Sequence, residues 1–307
     1  MLVHIPASAL APHQVDGVYY GRGDKTNIRL PEPEVERLYQ RRAWWNRDSA
    51  DMLARHMATD PLIDRPHLPH LYAVARPVGG WQDMCRDLVS GVDWGGKIMA
   101  QTRDLVLEDP LRSLRTKLGV PPRAYEFCST LSQAVRSERG AMLSDREITS
   151  SPNLRPNRRL EISEDGELRL VHNPQTHTVN IYSLNGDVVS YVAVHVAEIV
   201  LVTRELLAVA KYISDWCGHS SMWAFGLGID SMRATRPRVD VSGPSDVLNH
   251  SYPGNDYAAT TRASVLELAK SPGAVAERLA GRLYRIFEIN DEKFLSIFDD
   301  VPEQIAA

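Results

Sequence analysis

Two short turn signals in the second half of the chain constrain its fold most strongly. Asp165-Gly166 separates the alternating runs RRLEIS and ELRLVH, and Asn185-Gly186 separates TVNIYSL from VVSYVAV. Asp-Gly and Asn-Gly are typical of tight β-hairpin turns, because both central positions of such turns need positive φ angles. The pattern therefore predicts two antiparallel hairpins, which we interpret as one four-stranded meander.

Helical periodicity follows the two predicted hairpins. The apolar stretch from about Ala197 to Trp216 predicts a long helix, and the spacing in AVAERLAGRLYRIFEI predicts a second, amphipathic one. Between them, SMWAFGLGI predicts a strand. Its glycines, Gly226 and Gly228, indicate that another segment approaches the strand backbone closely.

A stretch near the N-terminus, GVYYGRGDKT, combines two aromatic residues, glycines and basic residues in the manner of a binding site. It does not match a phosphate-binding P-loop, because Asp24 separates Gly23 from Lys25 and no apolar strand precedes the glycines. The Arg-Gly-Asp tripeptide over 22–24 is short enough to arise by chance. The helix predicted after this stretch has Pro33 in its first turn and acidic residues around it, as a helix start favours.

The segment from Val3 to Arg42 resembles the C-terminal portion of the Schlafen/AlbA-like DNA-binding domain of bacterial proteins. The similarity rests on a V-x-I-P-x-S strand end, the Pro12-His13 pair, a G-x-Y-Y-x-R strand and a helix with E-V-x-x-L spacing. In that family the first half of the domain, which carries the carboxylates of Schlafen-type ribonucleases, would lie upstream of Met1. The resemblance therefore implies nucleic-acid binding without a complete active site, and we assign no catalytic residue, metal or cofactor.

Two basic groups supply the candidate contacts to DNA or RNA. Cations neutralise phosphates, and aromatic rings stack on bases. The candidate residues are Tyr19, Tyr20, Arg22, Lys25 and Arg29 near the N-terminus, and Arg155, Arg158 and Arg159 beside the first predicted hairpin. A purely structural alternative stays open, in which the two tyrosines alternate between core and solvent on a strand and the arginines are a solvated surface.

These patterns together predict an α+β fold. Its parts are an N-terminal hairpin-helix remnant over 1–46, a mainly helical connecting region over 47–155, and a C-terminal antiparallel meander sheet packed by two helices over 156–290. An acidic tail over 291–307 follows, and we expect it to fray. We also expect Trp81, Trp94, Trp216 and Trp223 to lie in the core.

Composition limits the classes of function. The formal net charge is -4, so any surface for nucleic acid must be local. The chain has three cysteines without a C-x-x-C pair, which makes a disulfide framework or a zinc ribbon unexpected and favours a reducing compartment. Charged residues interrupt the most apolar stretch, over 188–213, so we predict a cytoplasmic protein that does not enter membranes. The excess of arginine over lysine suggests a bacterial source.

The leading hypothesis is a bacterial nucleic-acid-binding or regulatory protein of the Schlafen/AlbA-like group, with DNA or RNA as its partner. One alternative is an interaction or sensor module in which the C-terminal sheet binds a protein partner or a second copy of the chain. Another is an ATP-associated enzyme, since relatives with the N-terminal domain are often grouped with ATP-binding proteins. The sequence carries no Walker motif to support that last alternative.

Overall fold

The computed structural model describes residues 12–22, 26–45, 49–59, 68–90, 96–97, 100, 131–145, 158–172, 177–182, 188–238, 250–290 and 295–299. Its strands are β1 (Gln14–Val15), β2 (Val18–Arg22), β3 (Asn27–Arg29), β4 (Leu71–Val78), β5 (Gln133–Ser137), β6 (Gly140–Ser144), β7 (Arg158–Ser163), β8 (Leu168–His172), β9 (His177–Tyr182), β10 (Val188–His195), β11 (Met222–Ile229), β12 (Arg236–Arg238) and β13 (Tyr257–Ser264). Its helices are α1 (Glu32–Trp45), α2 (Ser49–Ala58), α3 (Arg86–Ser90), α4 (Val196–Cys217), α5 (Val265–Lys270) and α6 (Pro272–Ile286), with a 3-10 helix at Ser296–Phe298. The combination of helices with antiparallel sheet confirms the predicted α+β class.

A seven-stranded antiparallel sheet forms the centre of the fold, in the order β13-β11-β4-β8-β7-β6-β5. The first predicted hairpin is β7–β8, with Leu160 opposite Leu170. Its connection has four residues, 164–167, and Gly166 has a φ of +81°. The backbone N–H of Ser163 donates to the carbonyl of Glu167 at 2.9 Å, which closes the turn.

The second predicted hairpin, β9–β10, also forms, but in a separate three-stranded sheet. β12 lies parallel to β10 on the side away from β9. This hairpin does not extend the first one, because β4 occupies the free edge of β8 and places Leu71 opposite His172. A four-stranded meander does occur, but it joins β5, β6, β7 and β8, one hairpin earlier in the chain than predicted.

Both predicted C-terminal helices are present and contribute to the main core. The two helices pack against each other, and α6 also packs on β13. Their buried apolar residues join those of the sheet in one cluster, which includes Leu160, Leu170, Leu207, Trp223 and Leu279. Although α4 is long, no helix within the described ranges combines the length and apolar character needed to cross a membrane.

The opposite face of the sheet is covered in part by α2, which packs on β4 and β11. A Cβ atom added at Gly226 would lie 2.9 Å from Cγ2 of Val74 and 3.2 Å from the carbonyl oxygen of Ser49 in α2. A Cβ at Gly228 would lie 2.7 Å from the sulfur of Met57. The helix therefore needs both glycines, which confirms the close approach predicted for this strand.

The connecting region 47–155 contributes β4, β5 and β6 to the same sheet as β7, β8, β11 and β13. Strands from both sides of position 155 therefore share one sheet. The tail expected to fray is anchored in part, because Arg204 donates from Nη1 to the carbonyl oxygens of Ile297 (2.9 Å) and Asp299 (3.1 Å). Apolar packing adds to this anchoring, since Ile297 is buried and the centroid of the Phe298 ring lies 5.0 Å from that of Tyr284.

The tryptophans predicted to lie in the core behave differently. Trp223 is fully buried, and its indole N–H donates to Oγ of Ser214 at 2.7 Å. Trp216, near the end of α4, is instead 53% exposed, so that prediction is wrong. Trp81 is partly buried against the core, and Trp94 lies outside the described residues.

Candidate nucleic-acid interface

Three short strands and α1 form the N-terminal unit. Gln14 lies opposite Tyr19, and Tyr20 lies opposite Arg29. Residues directly opposite each other in an antiparallel pair share a face, and successive residues alternate between faces. One face therefore holds positions 15, 18, 20, 22, 27 and 29, and we call these six positions the outer face.

Local turn chemistry determines this register. The turn between β1 and β2 is Asp16-Gly17, whose φ angles are +48° and +78°. Two positive φ angles favour a tight hairpin turn with the twist of the flanking strands. Gly21, on the other face, leaves room for Leu30, since a Cβ at Gly21 would lie 2.6 Å from Cδ2 of Leu30.

Tyr20 and Arg29 are neighbours at the middle of the outer face. The side chain of Tyr20 is 47% exposed, and Arg29 is also exposed. Opposite residues in an antiparallel pair have Cβ atoms about 5 Å apart. An exposed tyrosine and an exposed arginine are thus cross-strand neighbours on one face, and strand alternation puts position 22 on the same face.

Tyr19 lies on the opposite face, where it holds α1. Its hydroxyl oxygen is 2.7 Å from that of Tyr39, and the two rings meet edge to face at 6.0 Å. This hydrogen bond raises the pKa of the Tyr19 phenol above its usual value. The structure thus places the two candidate tyrosines on opposite faces, with Tyr19 against Tyr39 of α1 rather than in a core, and leaves Tyr20 as the ring available for stacking.

The charges of the N-terminal unit are distributed unevenly. The three strands contain arginines at 22 and 29 and no acidic residue. The acidic residues lie instead in the turn between β1 and β2, at Asp16, and on α1, where Glu34 is paired with Arg37 at 2.5 Å. The outer face is therefore locally cationic in a chain whose net charge is negative.

In the second basic group, Arg155, Arg158 and Arg159, the two arginines that the structure describes do not form an exposed cationic surface. Arg158 is only 8% exposed, and its Nη2 lies 3.7 Å from Oε1 of Glu198. The same carboxylate oxygen lies 2.7 Å from Nε2 of His172. Arg158 is therefore part of a buried ionic cluster rather than a surface for phosphate. Arg155 lies outside the described residues, as does Lys25 of the first group.

Arg159 lies on the other face of the sheet, in a concavity of about 100 Å³. The concavity is lined by His56, Thr59, Arg159, Glu161, Arg169 and Val171. Burial lowers the pKa of Arg159, and Glu161 lies 3.8 Å from it. Arg169 is held by Glu167 at 2.5 Å. Each guanidinium thus has a carboxylate partner, which makes the concavity close to neutral and a poor site for phosphate.

Sequence reasoning missed both charged clusters. Glu198 was visible as a charge within the most apolar stretch of the chain, but nothing in the sequence pairs it with residues of β7 and β8. Its Oε2 is buried without a hydrogen-bond partner among the described residues. A buried carboxylate in an apolar helix needs a cationic partner from elsewhere in the fold. The position of Glu198 in the apolar stretch was therefore the one sequence feature that indicated a buried ion pair.

No family model matches the chain, and neither a curated protein nor a solved structure is significantly similar to it. The resemblance of residues 3–42 to the Schlafen/AlbA-like domain stays a prediction.

Proposed function

We propose that this protein binds nucleic acid through the outer face of its N-terminal sheet. The observation that carries the proposal is the pairing of an exposed aromatic ring with a guanidinium, Tyr20 opposite Arg29. A ring of this kind can stack on a base while the neighbouring cation neutralises a phosphate of the same strand. The resemblance to a DNA-binding domain supports the same function, with Arg22 as a backbone contact.

The geometry favours single-stranded nucleic acid over a duplex. Stacking on Tyr20 requires the flat face of an unpaired base, which a duplex keeps within its own stack. The face is also short, since β2 spans five residues and β3 three. A site of this size fits a few nucleotides, and we place its activity in the bacterial cytoplasm, where such strands are available.

The test is fluorescence anisotropy of the full chain with labelled single-stranded DNA, single-stranded RNA and duplex DNA, across a salt series. We expect Tyr20→Ala to weaken single-strand binding by about 1–3 kcal/mol, because stacking on one base is lost. Tyr20→Phe keeps the ring and should bind nearly as well as the native chain. Arg29→Ala should reduce the slope of log K against log salt by about 0.7, because one phosphate contact is lost.

Arg37→Ala is the matched control. Arg37 is an exposed arginine of the same unit, but it lies on α1 and is already paired with Glu34. Arg37→Ala should change neither the affinity for the single strand nor the slope of log K against log salt. Absence of binding at low salt, or equal effects of Arg29→Ala and Arg37→Ala, would contradict the assignment of the outer face.

A further inference from the structure

Two cysteines that are distant in sequence meet in the fold. Sγ of Cys85 lies 3.5 Å from Sγ of Cys217, although 132 positions separate them. Cys85 ends the turn that precedes α3, and Cys217 is the last residue of α4. Cys85 is buried, whereas Cys217 is half-buried and so can be reached from solvent. Because the two cysteines are so far apart along the chain, the sequence alone does not indicate that they meet.

Both thiols sit on backbone that is fixed by hydrogen bonds. The N–H of Cys85 donates to the carbonyl of Glu164 at 2.7 Å, and the carbonyl of Cys85 accepts from Val89 at 3.1 Å. Cys217 instead ends a helix, and the next residue, Gly218, has a left-handed φ of +68° with no atom within 4 Å of an added Cβ. A disulfide needs the sulfur atoms about 2 Å apart. The last turn of α4 is capped, because the N–H groups of Gly218 and His219 both donate to the carbonyl of Ser214. The remaining approach of the sulfurs therefore falls mainly to rotation of the half-buried Cys217 side chain.

We propose that Cys85 and Cys217 are a redox-active pair that forms a reversible disulfide by exchange with a small-molecule disulfide such as oxidised glutathione. The thiolate of Cys217 attacks one sulfur of the small disulfide, forms a mixed disulfide and expels one glutathione thiolate. Cys85 then loses its proton and attacks the sulfur of Cys217, which expels the second glutathione. Overall, the two protein thiols give up two electrons and two protons and become one disulfide. Oxidised glutathione takes up the same electrons and protons and becomes two molecules of reduced glutathione.

The order of the two steps follows from the contact between the thiols. The hydrogen bond from Cys85 lowers the pKa of Cys217, while the same bond and burial raise that of Cys85. The thiolate is the attacking species in exchange, so the accessible residue with the lowered pKa reacts first. Cys85 is then positioned to resolve the mixed disulfide.

The experiment uses the purified full chain, reduced and then incubated with oxidised glutathione. Free thiols counted after denaturation should fall from the three of the sequence to one. Tryptic peptides should show a cross-link between 56–86, which holds Cys85, and 212–233, which holds Cys217, while the peptide 124–136 keeps Cys128 free. Dithiothreitol should restore three thiols. A persistent count of three, or a cross-link that includes Cys128, would overturn the proposal.

Variants separate the two roles. Cys85→Ser should stop at a mixed disulfide on Cys217, because the resolving thiol is gone. Cys217→Ser should take up glutathione at least about tenfold more slowly, since its remaining pair member is buried. Cys128→Ser is the matched control and should form the disulfide at the native rate. Equal rates in Cys85→Ser and Cys217→Ser would refute the assigned order, and the cross-link in the native chain tests the pair independently of any effect of the variants on folding.

Discussion

His56 is expected to make the stability of this protein depend on pH. It lies on α2 at the rim of the concavity, and its Nε2 is 3.1 Å from the carbonyl oxygen of Leu170, to which the neutral ring donates. Burial lowers the pKa of His56 to about 4, with Arg169 and Arg159 adding to the effect, although the bond to Leu170 and the charge of Glu161 oppose it. The native state therefore holds this ring neutral.

The sign and size of the effect follow from linkage. In the unfolded chain the ring takes up a proton as the pH falls below about 6.5, whereas the folded chain resists protonation until about pH 4. Acid therefore favours unfolding across this window, and the contribution of His56 is fully present only above it. The contribution of His56 should lower the free energy of unfolding by about 2 kcal/mol at pH 5 and by about 3 kcal/mol at pH 4.

The assay is urea unfolding of the native chain and His56→Gln between pH 7 and pH 4, followed by tryptophan fluorescence. Glutamine keeps a hydrogen-bond donor and does not titrate, so subtracting its curve removes the contributions of all other groups. We expect the native chain to lose about 2 kcal/mol more than His56→Gln from pH 7 to pH 5. A constant difference between the two proteins would show that His56 is not buried in its neutral form, and the docking of α2 on the sheet would then be wrong.

Two further predictions concern the core and use the same unfolding assay at pH 7. Glu198→Ala should destabilise the fold by about 3–5 kcal/mol, because it removes the buried carboxylate that lies 2.7 Å from Nε2 of His172 and 3.7 Å from Nη2 of Arg158. A loss below about 1 kcal/mol would contradict the buried cluster. Gly226→Ala should cost about 1–3 kcal/mol, because the new methyl meets Cγ2 of Val74 at 2.9 Å and the backbone carbonyl of Ser49 in α2 at 3.2 Å. Gly228→Ala should cost less, since it meets the flexible end of Met57, and equal losses would contradict the seating of α2.

Local patterns predicted the elements of this fold well. Alternating runs around Asp165-Gly166 and Asn185-Gly186 predicted both hairpins, and helical spacing predicted α1, α4 and α6. The glycines of β11 predicted the close approach that α2 makes. These features depend on neighbours in sequence, where turn chemistry and side-chain period act directly.

Pairings between distant segments were not predictable in the same way. Whether β8 continues to β9 or pairs with β4 depends on burial of Leu71 and Ala73 against the main core, which no local pattern reports. The outer face shows the same division. Alternation could separate Tyr19 from Tyr20, but only the register with β3 places Arg29 beside Tyr20. The burial of Arg158 depends on Glu198, which lies 40 positions away in sequence.

The position of β4 in the middle of the sheet has a consequence for synthesis of the chain. β4 ends at Val78, yet its two partners are β8 and β11, and β11 ends only at Ile229. During translation β4 therefore leaves the ribosome about 90 residues before the end of β8 and about 150 residues before the end of β11, so one of its edges stays unpaired until late in synthesis. Early, exposed strands with late partners fold slowly and are open to wrong pairing. A fragment that begins at 156 would lack β4 altogether, so β8 and β11 would each present a bare edge where the sheet should be continuous.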